Sequence, residues 1–183
     1  MTTRAPREDE ARAITNLVIA CDIDEFGAPD FELDDLLTDW HMPGFGLEKD
    51  ARVVVEGDTL DAYAAFIRND YVDVYVHPEH RDKGIGETLL EWSEQRALER
   101  AAPGQEFRLG QVITSIDERG INLLGTRGYE PVRTYSLSAG SEATSTVCTL
   151  LSMPPSGAHR TPPSSLSTAA NQSSNSSLFA IAN

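Results

Sequence analysis

A chain of 183 residues can bury a core of its own without disulfide or metal staples. Its formal net charge of −14 makes phosphate backbones and anionic membranes poor partners. The acidity favours cationic or amine-bearing partners, or it serves solubility alone. The two cysteines, Cys21 and Cys148, lie far apart and lack the paired spacing of a disulfide framework or a zinc site. The first ten residues lack the apolar core of a signal peptide, and no run is long enough to span a bilayer, so a cytoplasmic location is expected.

Along the chain, residues 2–4 can form an edge strand. Pro6 and a capping Asp9 announce a helix over 11–20. In the segment 31–40, Phe31, Leu33, Leu36, Leu37 and Trp40 fall on one helical face. Residues 52–56, 62–67 and 71–76 are β-rich runs separated by the turn signals Gly57-Asp58 and Asn69-Asp70, which predicts an antiparallel meander. A helix over 84–102 follows, ended by Pro103-Gly104. Ile85, Leu89, Leu90, Trp92, Ser93, Ala97 and Ala101 form its apolar stripe, and Glu87, Glu91, Glu94 and Gln95 face away. A strand over 106–114, a helix over 117–127 and a strand over 129–137 complete residues 1–138. This order predicts an α/β (α+β) domain, a mixed and mostly antiparallel sheet flanked by helices.

Beyond Ala139 the charge nearly vanishes. Residues 144–153 can supply a last strand. Residues 154–183, rich in Ser, Thr and Pro, cannot bury enough apolar surface to offset the cost of ordering and are expected to be a disordered tail.

The chemistry concentrates at Arg81-Asp82-Lys83-Gly84-Ile85-Gly86, between a strand and a helix start. The glycines permit positive φ and a close approach of ligand to backbone. The free N–H groups of the first helical turn make an anion site to which Arg81 and Lys83 add charge. A dinucleotide fingerprint would need a third glycine where Leu89 stands, and no P-loop Gly-Lys-Ser/Thr is present. What remains is Arg-x-x-Gly-x-Gly after an antiparallel strand, a pyrophosphate grip or a helix cap without ligand.

With the strand 72–76, the Pro78 turn, the long helix and the closing Gly128-Tyr129, this loop resembles the signature of the GNAT superfamily of acyl-CoA N-acyltransferases. The resemblance covers residues 2–138 and is greatest to the N-terminal half of tandem actinobacterial proteins related to mycothiol synthase. It implies the GNAT fold, acetyl-CoA as co-substrate and transfer of an acetyl group to a small amine by a monomer or homodimer. It also implies that backbone groups of Val74, Tyr75 and Val76 pair with the acyl-pantetheine arm. Amides of Asp82, Lys83, Gly84, Ile85, Gly86 and Glu87, beside Arg81, would hold the pyrophosphate. Asp117 stands where relatives have a cofactor-contacting asparagine, and is equally placed to cap a helix.

Attack on a thioester needs a neutral amine, hence a base near neutral pH. Asp70 stands ahead of Arg81 at the spacing of the base in histone-acetylating relatives, and Asp73 is its rival. The Val74 amide would face the oxyanion. Where many relatives have an acidic tyrosine this chain has Leu124, so Tyr75 and Tyr135 remain possible donors. A non-catalytic CoA-binding remnant of a two-domain protein is the alternative. His77 and His80 lack further clustered ligands, so no metal is expected. The acidic run Asp22, Asp24, Glu25, Asp30, Glu32, Asp34 and Asp35 either attracts a cationic acceptor or is a solvated helix face.

Overall fold

The computed structural model describes residues 1–67, 71–101, 109–138 and 145–153. The short β1 (Thr2–Arg4) leads through a 3-10 turn, Glu8–Glu10, into α1 (Ala11–Phe26). Asp9 is therefore not the cap of this helix. It lies within the 3-10 turn, and Glu10 takes the N-cap position while its carboxylate holds the Arg4 guanidinium at 2.6 Å. The helix also runs past the expected Ala20 to Phe26, where Gly27 at φ +79° ends it. Next come α2 (Leu33–Trp40), a single turn α3 (Leu47–Asp50), β2 (Ala51–Glu56), β3 (Thr59–Phe66) and β4 (Val72–Val76).

The meander is antiparallel throughout. β1 pairs β2, β2 turns at Gly57 into β3, and β3 pairs β4 with Tyr63 opposite Tyr75 and Ala65 opposite Asp73. After the loop, α4 (Ile85–Arg100) leads to β5 (Leu109–Thr114), α5 (Glu118–Thr126), β6 (Glu130–Ser138) and β7 (Ser145–Met153). The β-rich run near the C-terminus is thus a strand, inserted antiparallel between β5 and β6. The turn at 69–70, the terminator at 103–104 and the tail at 154–183 lie outside the described residues.

Period-2 alternation divides the first sheet into two faces. On one, Val53, Tyr63 and Ala65 pack against Ile14, Leu17 and Val18 of α1 and Leu36 of α2. On the other, Val54, Ala62 and Ala64 pack against Ile85 and Leu89 of α4, and Phe66 and Val72 against Leu90 and Ala97. Each fully buried Val, Leu, Ile or Phe among them stabilises the fold by about 1.5–3 kcal/mol. Glu94, expected to face away, is instead partly buried and accepts two bonds from Arg127, at 2.9 and 2.6 Å. That clasp ties the end of α5 to the middle of α4.

Candidate functional site

The two ladders meet at one point among the described residues, a parallel bridge between Tyr71 and Gly110. Beyond it, β4 has β3 on one side and, among the described residues, no ladder on the other. Backbone direction along β4 follows from its ends: Ile67 N–H donates to the Tyr71 carbonyl at 3.1 Å, and His77 N–H to the Asp61 carbonyl at 2.9 Å. In an antiparallel pair such bonded positions recur every second residue, so Asp73 and Tyr75 bond β3. The amides and carbonyls of Val72, Val74 and Val76 therefore point to the side of β5. The Val76 carbonyl already accepts a weak bond from the Cys21 thiol, at 3.4 Å.

The loop after β4 enters α4 through two left-handed residues, Asp82 at φ +64° and Gly84 at φ +74°. Gly84 is the N-cap, and its carbonyl accepts from Thr88 N–H at 3.1 Å. The amides of Ile85, Gly86 and Glu87 belong to the first turn, where a helix supplies no acceptor. Gly84 has a backbone reason to be glycine. Gly86 has none, because a Cβ there would meet only Leu123 Cδ2 at 3.4 Å and Val76 Cγ2 at 4.0 Å, ordinary contacts.

Arg81 is turned toward α1, with Nη1 at 2.6 Å from Asp24 Oδ2 and Nη2 at 3.8 Å from Glu25 Oε1. Burial works against its charge, yet the Asp24 bond keeps its pKa raised. Glu25 in turn accepts from the Thr114 hydroxyl of β5 at 3.2 Å, and its pKa is pushed up, chiefly by burial. Asp82 pairs with Arg119 at 3.2 Å, while Lys83 is exposed. Asp117 caps α5, its Oδ1 accepting from Gly120 N–H at 3.0 Å. A Cβ at Gly120 would crowd Ile113 Cδ1 and the Asp117 carboxylate, so those side chains would have to shift.

Asp73 and Tyr75 project to the face covered by α1 and α2. There Trp40 Nε1–H donates to the Tyr63 hydroxyl at 2.9 Å. Burial, then the charge of Asp39, pushes the half-buried Asp73 carboxyl up to about 6. Burial likewise holds the Tyr75 phenol well above its ordinary value, with Asp73 adding to it. Asp70 lies outside the described residues, as does the side chain of Tyr135. Leu124 and Tyr129 are core residues, 3% and 2% exposed. His77, Glu79 and His80 offer ligand atoms within 4.8 Å of one another. Glu79 is thus a third ligand type beside the two histidines, which the sequence reading did not expect; His80 Nδ1 faces the fully buried Asp61 carboxylate, and His77 Nδ1 accepts from Glu79 N–H at 3.3 Å.

Residues 45–130 match a family model described as an acetyltransferase (GNAT) domain. The chain carries a GNAT domain. Among solved structures it is similar to a GCN5-related N-acetyltransferase from Sphaerobacter thermophilus, at 30% identity and TM-score 0.65, over 73% of this chain and 44% of that one. The chain therefore spans less than half of the Sphaerobacter protein. A putative acetyltransferase from Salmonella typhimurium, solved with acetyl-CoA, aligns at 20% identity and TM-score 0.64, over 90% of this chain and 98% of that one. The ribosomal-protein-alanine N-acetyltransferase of Brucella melitensis aligns at 18% and TM-score 0.65, over 84% and 99%. The last two show the fold alone. No curated protein matches this chain.

Several participants around this site escaped sequence reasoning. Asp39 and Tyr63 join Asp73 only through the packing of α2 on β3, and no spacing links them. Cys21 was weighed for disulfides, yet it is a buried thiol with its pKa pushed up to about 12, mainly by burial. Glu25 stands in an acidic run that gives no local sign of its contact with Thr114.

Proposed function

We propose that the domain is an N-acetyltransferase moving an acetyl group from acetyl-CoA to the primary amine of a small, cationic acceptor. The observation that carries this is Gly86, a glycine the fold does not need, in the first turn of α4 and facing β4 and α5. A ligand that must approach that turn explains it, and the outward amides of Val74 and Val76 continue the same track. The protein groups fit acetyl-CoA: free helical amides for a pyrophosphate, and an unladdered strand edge for the amide-bearing pantetheine arm. When bound, it supplies a thioester carbonyl as electrophile.

The residues of the chain then divide the work. The acceptor amine, drawn as a cation to the acidic α1–α2 side, must lose a proton to attack. Asp73 accepts that proton in this reading, and Asp70 is the alternative base. The nitrogen lone pair forms the new C–N bond, the C–S bond breaks with its electron pair leaving on sulfur, and the proton shed by the acylated nitrogen passes to that thiolate, giving an amide and a thiol. The Val74 N–H stabilises the negative charge on the carbonyl oxygen in between. Asp117 contributes to the cofactor side through the N-terminus of α5 that it caps.

A second reading rests on Leu124, buried where many relatives place a tyrosine, and on the 44% share of the Sphaerobacter chain. It makes the domain a non-catalytic CoA-binding half of a tandem protein. A thiol-release assay against a panel of amines separates the two. Acceptor-dependent thiol release lost in Asp73→Ala or Asp70→Ala supports catalysis. Binding of acetyl-CoA with no release for any amine overturns it in favour of the second reading.

A further inference from the structure

At the far end of α4 from the phosphate loop lies a concavity of about 300 Å³, lined by Lys49, Arg52, Trp92, Gln95, Arg96 and Glu99. We infer that it is a binding site for a small dianion, a phosphate monoester or a dicarboxylate. This site is separate from the acetyl-transfer reading and does not rest on it.

The charge balance is the first argument. On a chain of net charge −14, three cations gather here with Glu99 as the one carboxylate in the lining. Arg96 is satisfied, bonded to Asp50 at 2.8 Å and to Glu99 at 3.1 Å. Lys49 and Arg52 have no carboxylate partner among the described residues. Arg52 spends Nη1 on two carbonyls, Glu48 at 2.9 Å and Ala51 at 2.7 Å. Its Nε and Nη2 donors make no such bond among the described residues. Burial and the neighbouring Arg96 depress its pKa, outweighing the opposing charges of Glu99, Asp50 and Glu48.

The second argument is preorganisation. The two carbonyl bonds fix the guanidinium, which lies 5.1 Å above the Trp92 ring centroid. Trp92 is itself held edge-on by Phe66, at 5.8 Å and 76°. An anion arriving here meets a guanidinium already oriented, so less ordering cost opposes binding. Two unpartnered cations match two negative charges. The volume lies at the lower limit for small-ligand sites. The carboxylates of Glu48 and Glu99 beside Arg52 disfavour an extended polyanion.

Trp92 reports on its own site. Its indole N–H resonance, assigned with Trp92→Phe, is followed as the full chain is titrated with inorganic phosphate and, separately, with malonate. Ionic strength is held constant with sodium chloride. The expected result is a saturable shift of Trp92 but not Trp40, weakened about tenfold in Arg52→Gln and in Lys49→Gln, as for loss of a charge-assisted bond. Whichever probe saturates lower identifies the phosphate or dicarboxylate source. Lys49 is exposed, so its variant remains informative if Arg52→Gln misfolds. No Trp92 shift with either probe, a shift that chloride alone reproduces, or one undiminished in Lys49→Gln overturns the inference.

Discussion

Arg81 Nη1 stands 2.6 Å from Asp24 Oδ2, so the cation of the loop between β4 and α4 is held by the last turn of α1. In the proposed acetyl-CoA complex, the pyrophosphate and this carboxylate would compete for one guanidinium. Asp24→Asn is expected to tighten acetyl-CoA binding roughly three- to tenfold at low salt, the scale of a partly exposed ion pair. Arg81→Ala should weaken it. Calorimetric titration of both variants at two salt concentrations checks the signs.

Asp73 sets a pH dependence whose sign can be worked out. Its carboxyl is pushed up to about 6, first by burial and then by Asp39. If it is the base, the pH profile of kcat/KM rises through an apparent pKa near 6 and levels above it. Asp39→Asn shifts that limb to lower pH. Asp73→Asn reduces the rate by about 10²–10⁴ and removes the limb.

The same shift bears on stability. A carboxyl with a raised folded-state pKa favours the fold most below its unfolded value, and that contribution is lost as pH rises through about 6. Asp73→Asn should therefore be more thermostable than wild type at pH 8, with the difference shrinking toward pH 4. Thermal melts across that range decide it.

Asp50 is a buried ionic hub. Its carboxylate, 2% exposed, meets Arg96 at 2.8 Å, Arg100 at 2.7 Å and the Gly46 N–H at 2.8 Å. Burial raises its pKa, but the Gly46 bond and the two guanidinium groups outweigh it and leave the pKa lowered. Asp50→Ala leaves two arginines facing an empty partner and should cost about 3–5 kcal/mol in urea unfolding. Conversely, the stabilisation by Asp50 is present above its unfolded pKa and is lost as pH falls through the depressed one.

Much of this architecture is legible in the residues. The valines at 72, 74 and 76 alternate with Asp73 and Tyr75, and the structure gives them opposite faces. Gly57-Asp58 turns the hairpin, and the β-rich run near the C-terminus becomes β7. What escaped was tertiary. The extension of α1 through Asp22 contradicts local propensity, since aspartate favours caps over helix interiors. Asp22 is tolerated because its carboxylate accepts from the amides of Asp30 and Phe31, at 3.1 and 3.0 Å. Asp9 has the residue type of a cap, but it lies within the 3-10 turn that precedes the helix. The link between Arg81 and Asp24 joins distant parts of the chain, and no local spacing can announce it.

The two loop glycines differ in a way one experiment can read. Gly84→Ala forces an alanine to φ +74° and should cost about 1–2 kcal/mol of stability. Gly86→Ala meets only ordinary contacts and should melt within about 1 kcal/mol of wild type, near the helix propensity of the exchange.

The most direct measurement is calorimetric titration of acetyl-CoA into wild type and Gly86→Trp, with folding of both verified by melting. Saturable binding to wild type, lost in a folded Gly86→Trp protein, is the predicted result. No heat with wild type at millimolar acetyl-CoA, or equal binding by the variant, would contradict the account.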